Sequence, residues 1–259
     1  MADNYYNPNF SGTGGHIDPN ETDREKQERA NMEVMGASSA LMHANYENSF
    51  HTTGEEVTEQ QYNMIIGVML LYGFVVNAIL CFALTKQVMR INPVALVVIY
   101  FAGMIIGMIV CRKTQNPVVS FIGYNLIVVP LGLFITPILA MYQISTIRYA
   151  FCVMAVCTLL MIGLANMYPV FFRSIGRMLF GCFLVAMLGE VIMWCVGLSS
   201  GIFDFVFVGL LMGYVGFDWA VAQNKRKTKA NAIISAGLIF ADMIYMLIRL
   251  LRILSKRNN

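Results

Sequence analysis

Gly216–Gln223 reads GFDWAVAQ, and it closes a run that is otherwise almost purely apolar. Phe240–Leu254, FADMIYMLIRLLRIL, carries Asp242 in the same way. A carboxylate at the centre of such a segment costs about 3 kcal/mol on membrane-insertion scales, so two of them ask for a physical reason. Segments of this length and apolarity also decide the architecture, because ~20 apolar residues in a helix span the hydrocarbon core of a bilayer.

Outward from these two segments the chain repeats the pattern. Of 259 residues, 58% are hydrophobic and 13% charged, and the mean hydropathy is +0.63. That profile belongs to a polytopic membrane protein. Seven apolar segments are read at about 62–85, 93–111, 117–141, 147–167, 178–198, 202–224 and 231–254. Polar backbone cannot stay bare in lipid, so each is a helix and the fold is an all-α bundle of seven transmembrane helices. Pro93, Pro117 and Pro169 mark helix starts or ends, whereas Pro130 and Pro137 predict a kink or loosening inside the third span. Two GxxxG spacings, Gly103–Gly107 and Gly209–Gly213, are read as plain helix packing.

Residues 1–61 are polar, without sustained periodicity, and are expected to be a disordered acidic tail ahead of a membrane domain over 62–259. Before residue 60 there are eleven acidic residues against Arg24, Lys26 and Arg29, a net charge of −8. Ala30–Leu41 has the pattern of a short amphipathic helix, and Thr58–Gln61 fits a capping box that opens the first span. No charged leader with a cleavage site is read. Loops on the N-terminal side carry Arg112, Lys113, Arg173, Arg177 and the basic group Lys225, Arg226, Lys227 and Lys229, which favours a cytoplasmic N-terminus. The short loops lean toward a bacterial cell membrane, although a eukaryotic internal membrane accommodates them too.

The six cysteines form no CxxC and read as small buried residues. All three histidines, His16, His43 and His51, lie in the tail, so no histidine-ligated metal or haem and no permanent cofactor is expected in the membrane. Nothing points to nucleic acid.

Geometry gives the two aspartates a reason. If the sixth helix continues through Asn224–Lys229 and turns near residue 230, Asp218 and Asp242 each lie twelve residues from the turn. That is roughly 18 Å down each helix, which presents two carboxyls at one depth. Such a pair shares a proton and titrates as a unit. Protonated, it ties two helices together; deprotonated, it repels, loosens them, and offers oxygen ligands to a hard cation such as Ca²⁺.

The two aspartates 24 residues apart, the basic loop between them and the Leu-Leu-Arg-Ile-Leu after Asp242 resemble the Bax-inhibitor-motif transmembrane family. Gly132-Leu-Phe-Ile-Thr-Pro137-Ile in the third span is similar to that family's glycine-to-proline signature. The resemblance covers about residues 62–254. It implies seven helices with the last wrapped by the other six, and a pH-sensitive calcium leak gated by Asp218 and Asp242, with Ca²⁺ as the transported ion bound only transiently. It also implies a latch between the first aspartate and an arginine near the end of the second helix, for which Arg112 is the nearest match. Phe217, Trp219 and Ala241 depart from the family's usual neighbours of the two aspartates.

Three further groups are read individually. Glu190, midway along LVAMLGEVIMWCVG, either lines an ion path or is a neutral acid bonded to another helix. Asp204 is read as an interfacial charge at the start of the sixth helix. Arg249 and Arg252 are expected to snorkel toward lipid head groups.

Rival chemistries are weaker. An intramembrane aspartyl protease needs GxGD, but Ile239-Phe240-Ala241 precedes Asp242, and no later PAL follows. Gly197-Leu-Ser199-Ser-Gly201 satisfies GxSxG without the strand, helix and histidine base that the motif requires. The protein is therefore not expected to be an enzyme. The expected activity is a cation leak whose partners are the bilayer, Ca²⁺ and protons. A proton-coupled transporter, or a membrane regulator of survival or protease partners, stands as the alternative.

Overall fold

The computed structural model describes residues 56–113, 115–196 and 201–257. The expected acidic tail up to residue 55, its Ala30–Leu41 helix and the serine of the GxSxG motif lie outside the described residues. Among the described residues eight helices follow one another: α1 Glu59–Val88, α2 Pro93–Lys113, α3 Pro117–Leu139, α4 Ile144–Met167, α5 Pro169–Ser174, α6 Gly176–Cys195, α7 Ile202–Asn224 and α8 Lys229–Arg257. All but the short α5 are long and apolar enough to cross a membrane. The all-α, seven-span reading holds.

Local chemistry sets the helix ends. Thr58 Oγ1 accepts from the Gln61 N–H and Gln61 Oε1 accepts from the Thr58 N–H, each at 3.2 Å, so the capping box forms as read. Pro93, Pro117 and Pro169 each stand first in their helices, where the missing N–H costs nothing. Asn116 caps α3 through its side chain to the Val118 N–H at 2.9 Å.

The last helix is the axis of the bundle. Of its apolar window 72% is buried, against 11–44% for the other spans. It packs on α1, α3, α4 and α7. The outer helices instead leave large apolar side chains uncovered, such as Phe82 at 90% exposure. In water such a surface is costly; in a bilayer it is the surface that lipid covers.

Helix α3 runs unbroken through Pro130 and Pro137. Pro130 cannot donate to the Leu126 carbonyl, and α2 approaches closely there: a Cβ on Gly103 would lie 2.9 Å from Leu126 O, and one on Gly107 would lie 2.7 Å from Gly123 O. The first GxxxG is thus a backbone-to-backbone contact between α2 and α3. The second is not. A Cβ on Gly209 meets nothing within 4 Å, and one on Gly213 meets only the Leu179 side chain.

The hairpin between α7 and α8 differs from the expectation. Helix α7 does not run on through the basic stretch but stops at Asn224, and Lys225 is extended at φ −77°, ψ 158°. The chain before α1 holds the linker open: Val57 N–H donates to Lys227 O at 2.8 Å, Glu56 and Thr228 form an isolated antiparallel bridge, and Arg226 Nε lies 2.6 Å from Glu56 Oε1. An extended linker separates cations that a helix would stack on neighbouring turns.

Candidate functional site

Asp218 stands six residues before the end of α7, and Asp242 thirteen after the start of α8. Despite that inequality, the two carboxyls lie close enough to interact directly. The extended linker takes up the difference, so that α8 starts beyond the end of α7. Asp242 Oδ2 is buried without a hydrogen-bond partner among the described residues. Tyr214, one turn before Asp218 on α7, lies within electrostatic reach of both aspartates and of Cys182 on α6. Lys225 is a cation within reach of Asp218.

Neighbouring helices fix this level on every side. Tyr62 of α1 donates its hydroxyl to Ala222 O at 3.0 Å and lies 3.4 Å from Ser235 Oγ, so one side chain ties α7 and α8 together. Trp219, next to Asp218, donates from Nε1 to Asn166 Oδ1 of α4 at 2.8 Å. Phe217 lies so close to Gly176 at the start of α6, and Phe172 of α5 to Gly216, that a Cβ on either glycine would collide with the ring. The Phe217 and Trp219 departures therefore have packing or hydrogen-bonding partners of their own. At the linker, Lys227 Nζ sits 4.5 Å over the Tyr62 ring and 2.7 Å from Gln223 Oε1. Burial lowers its pKa from the ordinary lysine value, and the Glu59 carboxylate opposes that shift.

The other candidate residues lie elsewhere. Arg112 is in the last turn of α2, and its side chain is outside the described residues. Glu190 belongs to a second polar cluster at the opposite end of the hairpin. Arg249 of α8 donates to both Glu190 oxygens, at 2.7 and 2.8 Å, and to Asp204 Oδ1 at 3.2 Å, with its guanidinium 4.0 Å over the Phe207 ring. Lys256 reaches Asp204 Oδ2 at 3.3 Å, and Arg252 reaches Glu190 at 3.4 Å. Arg249 is thus an ion-pair partner inside the protein, with its side chain 15% exposed, rather than a snorkelling residue. Asp204 does begin α7 as read, but it is 4% exposed and held by cations.

Numbering already held a signal for that cluster. Asp204 precedes Asp218 by fourteen residues, and Lys256 follows Asp242 by fourteen. The antiparallel register that joins the aspartates therefore also brings Asp204 to Lys256. Among the described residues no group of three or more His, Cys, Asp or Glu stands together as a metal site.

No curated protein and no solved structure matches the chain. The family model described as inhibitor of apoptosis-promoting Bax1 matches residues 55–259, the tied hairpin and all seven spans included, and the chain belongs to that family.

Proposed function

We propose that the protein is a passive, pH-modulated cation leak, suited above all to Ca²⁺, and that Asp218 and Asp242 form its switch. The observation that carries this reading is the contact between the two carboxyls across α7 and α8. Ionised carboxylates only accept hydrogen bonds, so a bond between two of them needs a proton. The shared proton clamps the central helix to its neighbour. Its loss leaves two like charges in contact, which drives the helices apart and exposes oxygen ligands.

Two carboxyls supply at most four of the roughly six to eight oxygens that Ca²⁺ takes, an incomplete shell that suits a passing ion rather than a resident one. The orientation proposed with this reading puts the N-terminus and the basic linker in the cytoplasm. Labelling of a cysteine introduced in the linker, from either side of the membrane, tests it.

The experiment is Ca²⁺ flux into liposomes loaded with a calcium dye, across a pH series. Flux should rise as pH rises through the titration of the pair, and Asp218→Asn with Asp242→Asn should flatten the profile. An unchanged profile in the double variant overturns the mechanism.

A further inference from the structure

Helices α1, α3, α4 and α8 border a cavity of about 470 Å³, inside the ~300–1,000 Å³ range of small-molecule sites. It is distinct from the aspartate pair, neither of whose residues lines it. Phe74 of α1 and Phe151 of α4 meet edge to face at its deep end, ring centres 5.8 Å apart. Thr85, Leu139 and Ile144 stand at the other end, where α1, α3 and α4 approach the turns that join them. The lining from Phe74 to Thr85 covers eleven residue steps, about 16 Å at the helical rise.

Two polar residues interrupt these apolar walls at one height. Asn77 is three residues above Phe74, and Arg148 is three residues above Phe151 on the facing helix. Asn77 is 5% exposed, and neither its Oδ1 nor its Nδ2 has a hydrogen-bond partner among the described residues. Gly132 makes room for the amide, because a Cβ there would collide with Asn77 Oδ1. An unpartnered buried amide costs about 1–3 kcal/mol. Arg148 is exposed at the cavity's side, and no acidic residue lines the site.

An amide packed behind one wall, a guanidinium at the other and apolar surface elsewhere complement a carboxylate that ends a hydrocarbon chain. We propose that this cavity is a binding site for a long-chain fatty-acid anion, with Asn77 Nδ2 and Arg148 on the carboxylate and the chain against Phe82, Ile135, Ile147 and Leu247. The Asn77 side chain reaches the ligand by turning its amide about the last side-chain torsion.

The test is calorimetric binding of oleate, methyl oleate and oleylamine to the full chain in detergent. Oleate should bind, and the ester and the amine should bind at least about tenfold more weakly, the loss expected for a charged hydrogen bond. Asn77→Leu and Arg148→Gln should each weaken oleate by a similar factor. Asn77→Leu removes an unpartnered amide and should fold. Ala140→Trp, at the exposed rim, should block oleate without touching either polar residue. Equal affinity for all three probes, no binding of oleate, or oleate affinity unmoved by Asn77→Leu and Arg148→Gln overturns the proposal. None of these outcomes depends on ion flux.

Discussion

Asp218 and Asp242 bring their carboxyls within direct interacting reach although one lies six residues from its end of the hairpin and the other thirteen. The level meeting is made by helix register and by an extended linker that lets α8 overshoot, not by a symmetrical turn. Single substitutions should separate the clamp from the charge. In Asp242→Asn the amide donates permanently to Asp218 and stands in for the protonated partner. Ca²⁺ flux should then stay low at every pH. A single variant that leaks as the parent does at high pH contradicts the clamp.

The ion cluster at the other end of the hairpin should behave as a buried network. Arg249→Ala leaves Glu190 and the 4%-exposed Asp204 without their main cation. The cost should be about 3–5 kcal/mol, since an uncompensated buried charge remains. Adding Glu190→Gln should recover part of that loss in a double-mutant cycle of unfolding in detergent. Strictly additive losses would show that the 2.7 Å pair contributes no coupling.

The two GxxxG spacings should part company. Gly107→Leu forces a side chain into the Gly123 backbone, 2.7 Å from its first carbon, and should cost about 1–3 kcal/mol or more. At Gly209 a Cβ meets nothing within 4 Å, so Gly209→Leu should stay within about 0.5 kcal/mol of the parent. Equal thermal shifts for the two would mean that α2 and α3 are not in backbone contact.

Tyr62→Phe removes one hydroxyl that serves both α7 and α8. The loss of the 3.0 Å bond to Ala222 O should cost about 0.5–1.5 kcal/mol of stability. It should also shift the midpoint of the flux–pH profile, because Ser235 and Ala222 lie within two turns of the aspartates. A variant that loses stability with an unmoved midpoint would confine Tyr62 to a structural role.

By itself the sequence determined the seven spans, their starts at Pro93 and Pro117, and the Thr58 capping box. These follow from local quantities: apolar length against bilayer thickness, proline's missing donor, and a side chain within three residues of an amide. Only the tertiary structure decided that the linker is extended, that Glu190 is held by Arg249 and that Asn77 is left without a partner. Each of those depends on which faces of distant helices are turned together, and an almost uniformly apolar helix carries little pattern that fixes its rotation. Close packing supplies the missing information, because a glycine on one helix fixes where its neighbour's side chain goes, as Gly132 does for Asn77.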